Sequence, residues 1–198
     1  TNSRLCMASA VAAHNRAFGE DVVPCSYHDL DEADLIVLVG SNTAWCHPVI
    51  WQRIECAREQ RGTKLVVIDP RRTETAERAD LHVPVAPDGD VALFNALLAE
   101  MAARGLVDAE YLRENCVVPD GFFDEIRSPR AKSRGPALGV STSLDTNGGG
   151  AREAFSQLAD MVAAHPRMVT LFSMGANQSV CGTDKANAII NLHLATGR

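Results

Sequence analysis

The chain has 198 residues, 46% of them apolar and 22% charged, which suits one globular domain with a proper core. No apolar run approaches the ~20 residues that a membrane span requires. The net charge is −6, with no basic stripe and no aromatic–basic interleave, so neither nucleic acid nor an anionic membrane is expected as a partner.

The opening, TNSRLCMASAV, reads as a cut made inside a longer chain. Residues 7–18 predict a helix that Gly19 stops. DLIVLVG at 34–40 is a continuous β-branched run, as in a strand buried on both faces. Pro48 starts a helix over 48–61 from its tolerated first-turn position. KLVVID at 64–69 is a second buried strand, followed by a short helical stretch at 74–80. LHVPV at 81–85 is a weaker strand, and Pro84 puts it near a sheet edge. A strong helix spans 90–105, and 107–116 continues helically. Residues 127–150, rich in Arg, Ser, Pro and Gly, read as a long mobile loop within a single domain spanning 1–198. A helix at 151–165, a strand at 168–172, a polar loop and a helix at 184–197 complete the chain. This alternation predicts an α/β fold, a Rossmann-like, mostly parallel sheet with helices on both faces.

In such sheets ligands sit beyond the carboxyl ends of the strands. The segments there are GSNTAWCHP (40–48), DPRRTET (69–75), APDGD (86–90) and SMGANQSVCGTD (173–184). Each is small, polar or glycine-bearing and leads toward a helix, whose first amides suit phosphate. Arg71 and Arg72 add a fork for phosphate, while Asp69 and Asp90 offer acceptors to ribose hydroxyls or a purine edge. Taken singly, these features have ordinary readings. Gly40 and Gly89 serve as turn residues, Asp69 and Asp90 cap helices, Arg71 and Arg72 are solvated, and Trp45 and Trp51 belong to the core. Four such loops on one edge point instead to a nucleotide-bearing ligand. No G-x-G-x-x-G is present, so a common NAD site is not indicated.

The six cysteines, at 6, 25, 46, 56, 116 and 181, form no CxxC pair and have no zinc spacing. They do not resemble a disulfide framework, which favours a reducing, cytoplasmic compartment. Cys6 stands just before a predicted helix, where the dipole favours thiolate. Residue chemistry leaves two roles open for it, nucleophile or ligand to a soft metal.

Several stretches carry a more specific signal. These are N-x-R-L-C-M-A-S-A at 2–10, G-S-N-x-A-x-x-H-P at 40–48, D-P-R-R-T-E-T-A-x-x-A-D at 69–80, D-G-D-V-A-L-x-N-A at 88–96, and S-M-G-x-N-Q-S-x-x-G-T-D-K-x-N-A-I-I-N-x-H-L-x-T-G at 173–197. Together they resemble the molybdopterin oxidoreductases, a family that includes nitrate reductases and formate dehydrogenases. The resemblance covers nearly the whole chain except about 117–165, and implies a formate dehydrogenase/DMSO reductase-type molybdopterin-binding domain. It also implies molybdenum held by bis-molybdopterin guanine dinucleotide and one side-chain ligand, here matched by Cys6, with Met7 next to it. By the same matching, Asn2 lies beside the metal. Val39, Gly40, Ser41, Asn42, Thr43, Ala44, Trp45 and Cys46 would hold the guanine dinucleotide end of one cofactor, as would Ile68, Asp69, Pro70, Arg71 and Arg72 and then Asp88, Gly89 and Asp90. Met174 and Gln178 would contact the pterin.

Formate dehydrogenases typically carry His after the cysteine, whereas Met7 resembles the nitrate reductases, and the 173–197 stretch resembles the bacterial assimilatory enzymes most of all. The implied reaction is reduction of nitrate to nitrite, fed by an electron-donor protein or reductase subunit. The resemblance also implies an iron–sulfur (4Fe–4S) segment and further domains in the parent chain, none of which this stretch supplies. The fragment alone is therefore expected to be inactive. The alternatives are a formate dehydrogenase alpha-subunit domain, a non-catalytic nucleotide-binding α/β module, and a cysteine-nucleophile enzyme.

Overall fold

The computed structural model describes residues 4–127 and 149–198. Four parallel strands form one sheet in the order β3-β2-β1-β4, with β1 Leu35–Val39, β2 Lys64–Ile68, β3 Leu81–Val83 and β4 Met168–Phe172. Val39 stands level with Ile68 on one side and Phe172 on the other. All three pairings are parallel, so every strand delivers its following loop to the same rim.

The alternation of side chains along β1 divides the core in two. Leu35, Val37 and Val39 join Val66 and Ile68 on one face. That face packs against Phe94 and Leu98 of α6 (Asp90–Ala103), Leu158 and Val162 of α9 (Gly149–Ala164), and Ile189 and Leu192 of α11 (Gly182–Thr196). Ile36 and Leu38 join Leu65 and Val67 on the other, against Leu30 of α2 (Tyr27–Glu32) and Trp51 and Ile54 of α4 (Pro48–Arg61). All five residues of β1 are buried, each aliphatic side chain contributing about 1.5–3 kcal/mol by leaving water. The sequence thus produces an α/β, Rossmann-like parallel sheet with helices on both faces. Helix α1 (Ala8–Phe18) lies outside this sandwich, where Ala13 packs on Ala186 and Ile190 of α11.

The weaker strand is an edge strand, as its proline implies, but it ends at Val83 rather than 85. The Val85 N–H turns back to the Val83 carbonyl at 3.0 Å and leaves the ladder. Gly105 stops the strong helix with φ 72°, and the helical stretch expected at 107–116 is α7 (Ala109–Asn115). Two six-residue helices away from the rim were not expected: α2, and α8 (Phe122–Arg127). Each has six residues, too few to show an apolar period. A local signal for α2 exists, since Asp29 accepts the Ser26 amide at 2.6 Å and the Ser26 hydroxyl at 2.9 Å. Of the loop expected over 127–150, residues 128–148 lie outside the described residues, and its two ends are helical, closing α8 and opening α9.

On α11, His193 meets the Thr170 hydroxyl of β4 at 2.8 Å through Nε2. Burial pushes this imidazole down to about 4. Its folded pKa therefore lies below the ordinary value of ~6.5, and the unfolded chain binds the extra proton between those limits. The stability conferred by the neutral ring is complete above about pH 6.5 and is lost as pH falls toward 4. Between pH 7 and pH 4.5, His193→Gln should lose on the order of 2 kcal/mol less stability than the native chain, read from urea midpoints. Equal losses in the two proteins would contradict this.

Candidate functional site

The rim begins where two loops touch. Gly40, which follows β1, has φ 55° and donates its N–H to the Ile68 carbonyl at 2.9 Å. After β4, the Ser173 N–H binds the Val39 carbonyl at 3.1 Å and the Gly175 N–H binds the Gly40 carbonyl at 3.0 Å. A Cβ on Gly40 would lie 2.6 Å from the Ala176 nitrogen, and one on Gly175 would lie 2.7 Å from the Gly40 Cα. Only bare backbone fits on both sides. Gly175→Ala should force the β1 and β4 loops apart and cost at least about 2 kcal/mol in urea unfolding. A change below ~0.5 kcal/mol would mean that the loops part freely.

The other loops lock onto this pair. The loops after β1 and β4 do not run straight into long helices; each first forms one turn, α3 (Thr43–Cys46) and α10 (Met174–Asn177). Thr75, just after β2, donates its hydroxyl to Asn42 Oδ1 at 2.7 Å and accepts the Ala44 N–H at 3.0 Å. Trp45 is 71% exposed, contrary to its reading as core, because it lies across the rim with Nε1 donating to Glu74 at 2.6 Å. Trp51 is buried, as expected. Ser41 and Thr43 are buried and pair through their hydroxyls at 2.9 Å, while Val39 and Ile68 turn their side chains into the core. Those four can therefore meet a ligand through backbone only.

Asp69 is buried, and its Oδ1 accepts the Arg71 N–H at 2.8 Å. Arg71 and Arg72 are exposed, as is Pro70. Arg72 lines a cleft of about 670 Å³ beside β3, together with Pro70, His82, Pro84 and Pro87.

The loop after β3 is fixed by charge. Lys185 of α11, only 2% exposed, reaches Asp88 Oδ1 at 2.9 Å and Asp90 Oδ2 at 3.0 Å. Asp88 holds the left-handed φ of 65°, uncommon for a residue with a side chain. Its hydrogen bond from Lys185 keeps its carboxyl below the usual carboxylate range. For Lys185 itself, burial alone pushes the ammonium down, but bonds to the two carboxylates outweigh burial and raise it. The cluster thus stabilises the fold above about pH 4 and below about pH 10, the ordinary values of its members. It also means that Asp90 is already engaged and buried, leaving Asp88 as the part-exposed carboxylate of this loop. Lys185→Met would strand buried negative charge and should cost about 3–5 kcal/mol, part of it recovered by adding Asp90→Asn. Thermal melts of the single and double variants would reveal a flaw if the second change only deepened the loss.

Cys6 belongs to a 3₁₀ turn, Leu5–Met7, that enters α1. Its residue is exposed, and its carbonyl accepts Asn177 Nδ2 at 2.8 Å, which ties the turn to α10. A cleft of about 860 Å³ opens there, shared by Cys6, Met7, His47, Met174 and Asn177, and it continues along the free edge of β4. Gln178 is exposed next to Asn177. Asn2 lies outside the described residues. The structure therefore gathers Cys6, Met7 and Met174 into one cleft and sets the Arg72 cleft apart. Asn177 and Lys185 were not singled out from sequence, although both stand inside the last motif, as S-M-G-x-N-Q and D-K-x-N. Among the described residues no three His, Cys, Asp or Glu side chains gather to cage a metal.

The family model described as molybdopterin oxidoreductase matches residues 1–198. The chain belongs to the molybdopterin oxidoreductase family. A nitrate reductase from Shewanella frigidimarina is 46% identical over 197 residues, covering 100% of this chain and 20% of the relative. An assimilatory nitrate reductase from Haloferax mediterranei is 39% identical, covering 99% of this chain and 25% of that protein. The chain thus spans about a fifth to a quarter of such relatives. The solved acetylene hydratase from Pelobacter acetylenicus shares the fold, with a TM-score of 0.69 at 22% identity over 97% of this chain and 25% of that one.

The rim of this molybdopterin oxidoreductase domain suits the prosthetic group that the family name implies. A thiol stands exposed at the cleft, a buried side-chain oxygen, Asn177 Oδ1, lacks a donor among the described residues, and bare backbone lies at the Gly40–Gly175 contact. A soft metal takes thiolate, and a pterin ring carries the N–H donors that such an oxygen needs.

Proposed function

We propose that this chain is the cofactor domain of a cytoplasmic assimilatory nitrate reductase, with Cys6 as the protein's ligand to molybdenum. The observation that carries this reading is the turn holding Cys6, hydrogen-bonded to Asn177 and exposed in one cleft with Met7 and Met174. The family membership and the two nitrate reductase relatives support it. No helix among the described residues is long and apolar enough to cross a membrane.

The residues divide the work. Cys6 offers its sulfur as a soft ligand, and Met7 and Met174 give the cleft soft, adaptable walls. The backbone from Val39 to Cys46, with Ile68 to Arg72, would hold the guanine dinucleotide end, and the exposed guanidinium groups of Arg71 and Arg72 would meet its phosphates. Asp88, part-exposed and pinned by Lys185, accepts hydrogen bonds from the sugar or base, while Gly89 and Asp90 shape that turn. Gln178, exposed beside Asn177, would contact the pterin. When bound as the bis-molybdopterin guanine dinucleotide form, molybdenum supplies the chemistry, in which nitrate takes two electrons and two protons and leaves as nitrite and water. Electrons would be supplied by a donor protein or reductase subunit, and the 4Fe–4S cluster expected in the parent chain would relay them. This domain supplies part of the enclosing surface, so alone it is inactive.

The test uses the full-length parent. Cys6→Ala should leave its circular dichroism unchanged and reduce nitrate turnover by at least about a thousandfold, as loss of a metal ligand would. Native-level nitrate reduction in that variant would sink the ligand role. Turnover of formate in place of nitrate by the unaltered enzyme would instead move the chain to the formate dehydrogenases.

A further inference from the structure

Cys6 and Asn177 are 171 positions apart, yet the Asn177 amide donates to the Cys6 carbonyl at 2.8 Å. Within the turn itself the Met7 N–H returns to the Arg4 carbonyl at 3.0 Å, a local bond that closes the turn without fixing it to the body of the fold. Among the hydrogen bonds of the described residues, that of Asn177 is the one that joins Cys6 to the sheet rim. Asn177 is itself rigidly placed. It closes α10, its N–H binds the Ser173 carbonyl at 3.1 Å, and it is 9% exposed. Gly182 presses against it so closely that a Cβ there would collide with the Asn177 carbonyl and approach Ser9 Oγ to 2.8 Å. The N-terminal turn, α10 and the start of α11 therefore meet closely at this residue.

The other half of that amide is unused. Asn177 Oδ1 is buried with no hydrogen-bond partner among the described residues, although buried polar atoms are nearly always paired. Asn177 also lines the cleft that contains Cys6. We propose that Asn177 is a positioning residue with two duties: its N–H fixes the backbone of Cys6 at the rim, and its Oδ1 accepts a hydrogen bond from an N–H donor of the heterocycle occupying the cleft. Occupancy of the cleft and orientation of the thiol are thereby coupled through one planar group. This rests on the reading that a pterin-bound metal fills the cleft, though the hold on Cys6 does not depend on it.

The experiment compares the native full-length enzyme with Asn177→Asp, which keeps an oxygen and loses the N–H, and Asn177→Leu, which loses both at similar size. In cofactor-free protein, hydrogen–deuterium exchange in the peptide containing Leu5–Met7 should be about fivefold faster in both variants, the effect of losing one hydrogen bond. Native exchange rates there would overturn the hold on Cys6, whatever the cofactor does. In protein isolated with cofactor, both variants should show an altered molybdenum(V) paramagnetic resonance signal, with kcat falling more than KM. Molybdenum per chain should stay near native in the Asp variant and drop severalfold in the Leu variant. An unchanged signal would refute positioning of the thiol, and equal retention of metal by both would remove the acceptor duty. Should Leu prevent folding, judged by circular dichroism, the Asp variant alone decides the first duty, and Asn177→Ala, which lacks both the oxygen and the N–H and adds no bulk, replaces Leu for the second. A Cys6→Ala enzyme whose resonance signal matches the native one marks failure of the ligand reading itself, and exchange in the cofactor-free protein still judges the hold.

Discussion

Two main chains approach at Gly40 and Gly175 with no room for a side chain between them. This contact is possible because β1 and β4 are neighbours in register, so their loops leave the sheet side by side at Val39 and Phe172. It lets the turn α10 begin directly above the sheet, and α10 in turn presents Met174 and Asn177 to the cleft. From there the hydrogen bonds spread outward through Thr75 to the β2 loop and through Asn177 to the N-terminal turn. Helix propensity cannot explain either one-turn helix, since four residues fall far below the length at which an isolated helix holds. Their tertiary setting maintains them.

Electrostatics at the rim is uneven. The side near β3 combines exposed Arg71 and Arg72 with a carboxylate pair already neutralised in part by a buried lysine. The Cys6 side is mostly apolar, with Leu5, Val49, Met174 and Val180 exposed to solvent. Such a partition suits a ligand that is anionic at one end and sulfur-rich and planar at the other.

Much of this was legible in the sequence. β1 and β2 carry unbroken apolar runs rich in Val and Ile, Leu35–Val39 and Leu65–Ile68, the pattern of a strand buried on both faces. The edge position of β3 followed from Pro84, which cannot donate to a ladder. The short helices were hidden because six residues show no period, although Ser26 and Asp29 at capping spacing mark the start of α2. At the rim, the loops could be named from strand ends, but their mutual bonds could not. Asn177 bonds a residue at the other end of the chain, and Lys185 is buried only because two carboxylates from another loop converge on it. Trp45 misled for a related reason. Its indole has a polar end, and that end pairs with Glu74 at the exposed rim.

That placement of the two tryptophans separates the molecule's optical signals. Trp51 sits in the aliphatic core and emits as a shielded indole, whereas Trp45 is wet and bound to a carboxylate at the rim. A small quencher in solution reaches the second and not the first. Events at the rim can thus be followed by fluorescence from the native chain, without a label, while the shielded emission reports whether the core is intact.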